Sequence, residues 1–249
     1  MIHDHAIVRP ERTPRSPVLG PVALLAAAAP DVVRLRKELN LPHSHPLYMS
    51  RIYYHAQEPD QPAVVGPIIG APYAVMILEV LRAWGVRRGF FMGWCGSIDR
   101  GVRIGDLIVP TGAWIDEGTS LHYGQNFQSA AVPDQKLQAV LQLGLQRHRT
   151  TFHSGLIWTT DAIFRETREQ IDHFNGLEAL AVEMELSALF SAAAFYGLPV
   201  AALLTVSDEL FTYQWQHGFK THAFRQACET ACRILIDLNK SEWASDASR

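Results

Sequence analysis

Three cysteines, Cys95, Cys228 and Cys232, are all that the 249 residues contain, and no CxxC pair is among them. So sparse and odd a set excludes a disulfide framework and a thiolate metal cluster. Cys228 and Cys232 stand four apart in an amphipathic segment and share a helix face, which suits core packing. The chain is expected to be reduced and cytoplasmic. Long apolar runs are missing as well. The longest near the start, Val18 to Ala29, contains Gly20 and Pro21 and falls short of the ~20 apolar residues of a membrane span. It lacks the Lys/Arg-flanked form of a signal peptide and is expected to be a buried strand. There is no basic excess: 22 Lys+Arg face 25 Asp+Glu, a net charge of −3, which argues against nucleic acid or an anionic membrane as main partner. Internal repeats and low-complexity segments are absent. The histidine pairs His3/His5 and His43/His45 have no Cys or carboxylate array beside them, so no metal site is expected.

What is present is a large apolar content, 48% of the residues, enough for a substantial core. The length and the continuous pattern favour one α/β domain over residues 18–240. A proline-punctuated arm (1–17) precedes it, and a polar tail (241–249) follows. After a loop at Leu41–Pro46 and a strand around Tyr48–Ala56, the pattern alternates. Strands are expected at Ala63–Ile69, Phe90–Met92, Leu107–Trp114, Phe152–Trp158, Ala179–Val182 and Val200–Val206. Helices are expected at Pro72–Trp84, Pro133–Arg147, Leu186–Tyr196 and Phe219–Leu238. The strands are apolar on both faces, which indicates a mostly buried sheet between helices.

Function in such sheets collects at the carboxyl ends of strands. Four of these ends carry polar residues: FMGWCGS (Phe91–Ser97), WTTDAIF (Trp158–Phe164), AVEME (Ala181–Glu185) and TVSDE (Thr205–Glu209). The glycines of FMGWCGS suggest a loop whose backbone N–H groups cradle an anion. Each segment also has a local reading. Ser207-Asp208 can cap a helix, Glu183 and Glu185 can favour a helix start, Asp161 can order a loop, and the aromatics can fill the core. Against the second of these, both glutamates lie in an apolar context, where a carboxylate must be bonded or functional.

The order of these segments resembles the nucleoside phosphorylases of the purine/uridine type, a superfamily that also contains nucleosidases. Gly105–Ala113 with Asp116–Ser120, Thr159–Ala162, Ala181–Glu185 and Val206–Leu210 match in register across about Ala63 to Leu238. The resemblance implies a single three-layer α/β domain with a central mixed sheet, partly barrel-like and flanked by helices. It implies a dimer or a trimer of dimers, a small-molecule nucleoside as ligand, no cofactor, and inorganic phosphate as candidate co-substrate. It assigns the ribose to Glu183, Met184 and Glu185, with Glu185 accepting from the sugar hydroxyls and Glu183 supporting it. Asp208 becomes the acid that protonates the leaving base, assisted by Lys220. That chemistry is sound on its own terms. Breaking an N-glycosidic bond builds a cationic sugar and an anionic base, which a carboxylate and a carboxylic acid respectively stabilise.

The match departs from the family where phosphate should bind. Phe91 stands at the usual arginine and Trp94 at the usual Ser/Thr. Leu19–Ala23 occupies the comparable place of a G-D-P-x-R loop without its Asp or Arg, and Ile68–Ala71 replaces an open glycine turn. Phenylalanine cannot make the bidentate pair of an arginine with phosphate. Gly93, and Arg51 from a neighbouring subunit, are the remaining phosphate candidates, with Arg12 and Arg15 of the arm behind them. The base pocket is expected from Trp94, Trp158, Ile163 and Phe164. Arg165–Arg168 carries no uracil-reading pattern, and Asp208 favours a purine-like base that can be protonated. Three functions follow: a nucleoside phosphorylase with an atypical phosphate site, a phosphate-independent nucleosidase, and a non-catalytic nucleoside-binding or storage protein. Retention of both sugar and acid groups argues against the last.

Overall fold

Val22–Ala26 is buried at every position and forms strand β1, with both faces covered as in the sheet of an α/β protein. The computed structural model describes residues 6–58 and 60–241; His3, His5 and positions 242–249 of the tail lie outside the described residues. The apolar stretch beginning at Val18 is therefore not one strand. Its end opens helix α1 (Ala29–Glu38), with Pro30 in the first turn, where a missing N–H costs nothing. Then come β2 (His43–Leu47), β3 (Ser50–Tyr54), β4 (Ala63–Gly66), α2 (Ala71–Ala83), β5 (Arg88–Ser97), β6 (Leu107–Asp116), β7 (Ala130–Ala131) and α3 (Gln135–Arg147). The remainder is β8 (His153–Thr160), α4 (Arg168–Gly176), β9 (Ala179–Glu183), α5 (Leu186–Tyr196), β10 (Val200–Glu209), β11 (Gln216–His217) and α6 (His222–Ser241).

The strands run in the order β11-β10-β6-β8-β9-β5-β1-β4-β3-β2, with β7 on β6, and β10 pairs with β5 as well. That extra pairing closes β5, β10, β6, β8 and β9 into a ring, from which β1, β4, β3 and β2 extend as open sheet. Pairing is mixed: β10 is parallel to β5 and antiparallel to β6. One face packs on α2 and α5, the other on α1, α3 and α6. The expected three-layer, partly barrel-like α/β fold is what forms.

Three local expectations change. LPHSHP is no loop: His43–Leu47 is β2, held by its ladder with β3. Ser207-Asp208 caps no helix, because β10 continues through both residues. FMGWCGS is not a loop either but the second half of β5. Its side chains alternate, with Phe91 and Cys95 in the layer of α2 and α5 and Met92 and Trp94 against α1 and α6.

Candidate active site

Strand β5 changes neighbours along one edge. Arg88–Met92 pairs with β1, and Gly96 and Ser97 pair with β9, at Val182 and Ala181. Between them, Gly93–Cys95 has no ladder on that edge. The other edge pairs with β10 along its length, putting Asp208 opposite Gly96. A split of this kind, where strand order changes, is where α/β sheets bind ligands. The ends of β9 and β10 bring Glu183 and Asp208 to the two sides of β5. Buried Cys95 lies between them: desolvation raises its thiol pKa, and the charges of Asp208 and Glu183 raise it further.

The two glutamates have different surroundings. Glu183 ends β9 and is saturated with donors: Thr159 Oγ1 at 2.5 Å on one oxygen, and the N–H groups of Glu185 and Leu186 at 2.7 and 2.8 Å on the other. It caps the first turn of α5 and orders the chain around Met184. Glu185 is buried too but accepts the N–H of Gly70, at 2.5 Å, on one oxygen. Gly70 precedes α2 with φ 84°, a backbone state that glycine adopts without strain. Burial raises the proton affinity of both carboxyls, and the neighbouring Glu185 adds to the effect at Glu183. Of the pair, Glu185 has the capacity left to bind a ligand hydroxyl. Half-buried Met184 stands between them.

Asp208 accepts Ser207 Oγ at 2.6 Å on Oδ1 and Trp215 Nε1 at 3.0 Å on Oδ2. Desolvation raises its pKa; the two hydrogen bonds and nearby His217 oppose this less strongly. Lys220 is exposed and precedes α6 instead of lying on it. Its backbone carbonyl is bonded by Arg225. The groups that act on Asp208 from this segment are Trp215 and His217.

The aromatic positions separate. Trp158 is 0% exposed, stacked on Phe174 at 4.5 Å and bonded to Asp116, so it is a core residue and lines no base pocket. Ile163 and Phe164 sit on an exposed 3-10 turn, Phe164 being 93% exposed. Trp94 is half-buried, with its ring edge-on to Phe224 at 5.0 Å and 5.9 Å from Phe219. Its Nε1 donates to Asp31 Oδ2 at 2.8 Å. Asp31, 1% exposed in the first turn of α1, is pushed up to about 6 by burial, against the Trp94 bond and Arg34.

Around the split, Phe91 is in the core, and a Cβ on Gly93 would meet its ring at 2.6 Å. Leu19–Ala23 runs into β1, whereas the segment leaving that strand is Ala27-Ala28 and the start of α1. Arg51 is exposed on β3 and donates to Ser44 at 3.1 Å.

A profile described as "Phosphorylase superfamily" matches residues 20–239. The chain belongs to this superfamily. It is 34% identical over 142 residues to the guanosine phosphorylase of Halorubrum lacusprofundi, a stretch covering 57% of this chain and 58% of that one. It is 31% identical over 153 residues to the DeoD-type purine nucleoside phosphorylase of Bacillus cytotoxicus, covering 60% and 64%. The matched stretches thus span less than two thirds of either relative. In fold it resembles the uridine phosphorylase of Vibrio fischeri, with TM-score 0.74 and 22% identity over 89% of this chain and 91% of that one. It also resembles the 5'-methylthioadenosine/S-adenosylhomocysteine nucleosidase of Helicobacter pylori, with TM-score 0.71 and 17% identity over 89% and 98%.

Sequence reasoning passed over four residues that stand at this candidate site: Asp31, Glu166, Trp215 and His217. Glu166 lies near Asp208, and burial, with that neighbour's charge, raises it to about 8. The one hint was the run TYQWQHGF (Thr212–Phe219), whose aromatics follow the S-D-E motif on an otherwise polar stretch. Among the described residues, no three His, Cys, Asp or Glu side chains converge to hold a metal ion. No described helix is long and apolar enough to cross a membrane.

Proposed function

We propose that the protein cleaves the N-glycosidic bond of a nucleoside with a purine-like base. The observation that carries this reading is the pair of carboxyl groups on opposite sides of β5, buried Glu185 beyond β9 and partly buried Asp208 on β10. Glu185 accepts from the ribose hydroxyls and offsets positive charge as the bond to C1′ lengthens. Asp208, whose proton affinity burial raises, takes up a proton as the base binds and gives it to the departing base. Such acid assistance is worth roughly 10²–10⁴-fold. Glu183 holds Glu185 in place.

A second reading, with water instead of phosphate as the nucleophile, is favoured by the bond between Trp94 and Asp31. A carboxylate next to the split repels a phosphate dianion, and Trp94 fills space that a hydroxyl side chain would leave. Phosphorolysis on this chain requires a cation from elsewhere, and Arg51 of a second copy is our candidate donor.

A panel of inosine, guanosine, adenosine and uridine, each assayed with and without inorganic phosphate, tests both readings. Purine release is expected. Equal rates with and without phosphate identify hydrolysis, and ribose 1-phosphate in the products identifies phosphorolysis. A panel with no cleavage in either condition rejects the proposed function.

A further inference from the structure

Trp215 is 63% exposed, yet its indole N–H is spent inside the protein, on Asp208 Oδ2 at 3.0 Å. The residue belongs to the segment between β10 and α6. Its ring lies 5.7 Å from His217 and 6.4 Å from Phe219, and His217 and Phe219 stack at 6.2 Å. Phe219 in turn reaches Trp94. An aromatic row thus runs over the acid from the exposed surface to the middle of β5, and one member of it holds the acid's Oδ2. The other oxygen, Oδ1, already has Ser207.

We propose that Trp215 is a positioning residue that occupies Asp208 Oδ2 in the free protein and gives way to the base of the bound nucleoside. The inference rests on the proposed function, in which Asp208 is the acid. An N–H directed at a carboxylate favours the unprotonated form. While the indole is bonded, Asp208 holds its proton less tightly and is aimed at the place the base nitrogen takes. When the base arrives, that nitrogen replaces the indole, the carboxyl binds a proton from solvent, and the row of rings closes on the base face. As the glycosidic bond breaks, its electron pair goes to the base and the Asp208 proton goes to the base nitrogen. The carboxylate that remains recovers the Trp215 N–H as product leaves. Besides Trp215, the groups facing Asp208 are Glu166, His217 and the Cys95 thiol. The substitution below leaves all three in place.

Trp215→Phe keeps an aromatic ring against His217 and Phe219 and removes the N–H along with one fused ring. With the best-cleaved nucleoside of the panel, the high-pH limb of kcat/KM reports Asp208 in the free protein, and that of kcat reports it in the complex. The expected result is a kcat/KM limb moved about one pH unit upward, with the kcat limb unmoved. Equal movement of both limbs overturns the proposal, because the indole then stays on the acid in the complex. No movement of either also overturns it. A ligand-free readout separates this from failure of the proposed function. The Trp215 emission, taken as the difference between the wild-type and Trp215→Phe proteins, should titrate with pH and lose that titration in Asp208→Asn. A flat difference signal overturns the bond itself, whether or not any nucleoside is cleaved.

Discussion

Asp31 Oδ2 accepts the indole N–H of Trp94 at 2.8 Å, tying the first turn of α1 to the middle of β5 at the split in the sheet. The other oxygen, Oδ1, has Arg34 at 3.5 Å and no hydrogen bond. Burial lifts this group to about 6, so the folded protein binds the Asp31 proton more tightly than the unfolded chain does. The stability this proton supplies is complete below the unfolded pKa near 4 and is lost as pH rises through 6. A rise from the unfolded value to about 6 corresponds to about 3 kcal/mol. Asp31→Asn, neutral throughout and still offering an oxygen to Trp94, should therefore gain on the wild type by up to that amount between pH 4 and 7. Urea midpoints of the two proteins across that range measure it. A difference that stays constant with pH would show that Asp31 does not titrate in this window.

The glutamates of the V-E-M-E segment should separate in their effects. Glu183 accepts three donors in the interior, and Glu183→Gln turns an amide NH₂ toward some of them. Each unsatisfied buried group costs about 1–3 kcal/mol, so thermal stability should fall markedly. Among the described residues, Glu185 accepts backbone N–H groups only, from Gly70 and Met184. Glu185→Gln should lower kcat/KM roughly 10²-fold or more while Tm changes little, because charge opposite the cationic sugar is what it removes. Melting curves with steady-state kinetics on both variants check this. The reverse pattern would exchange their roles.

How legible these features were in the sequence depended on what held them. The AVEME and SDE segments stood out because carboxylates interrupt apolar runs, and an apolar environment demands a reason for a charge. Helix Leu186–Tyr196 was marked by its apolar run and by Gly197 at its end. Strand β2 was not legible, since His43–Leu47 is polar and contains Pro46; only the ladder with β3 makes it a strand. FMGWCGS looked like a loop because glycine weakens a strand locally, yet pairing with β10 keeps it extended. The helix α4 signal, Thr167 and Gln170 in a reciprocal cap, was present and passed over. The bond from Asp31 to Trp94 spans 63 positions, and no local spacing encodes such a contact. Lys220 was chosen by distance along the chain, whereas strand β11, paired with Asp208 and Glu209, sets Trp215 and His217 against the acid.

Asp208→Asn tests the acid directly. The amide keeps an oxygen for Trp215 or Ser207, so the fold should persist, while turnover should fall roughly 10²-fold or more. Because burial raises the pKa of Asp208, wild-type activity should decline as pH rises through that raised value. The residual activity of the variant should lack the decline. Unchanged turnover would remove Asp208 as the acid.

Gly96 provides the sharpest steric test. It pairs with Asp208 across the strands, and a Cβ built on it would lie 3.0 Å from Asp208 Oδ2 and 2.9 Å from Leu210 Cδ1. Both distances are shorter than ordinary contacts between such atoms, so Gly96→Ala must move the carboxylate, the leucine, or both. Overpacking of this kind costs about 1–3 kcal/mol. A displacement near 1 Å of a reacting group costs about 10²-fold in rate. Gly96→Ala should therefore lose turnover out of proportion to stability, with substrate affinity largely kept, since the sugar contacts lie across β5. Gly176→Ala is the control: its added methyl meets nothing within 4 Å, and both rate and Tm should hold. If Gly96→Ala turns over as fast as that control, the acid does not depend on lying against the backbone of β5.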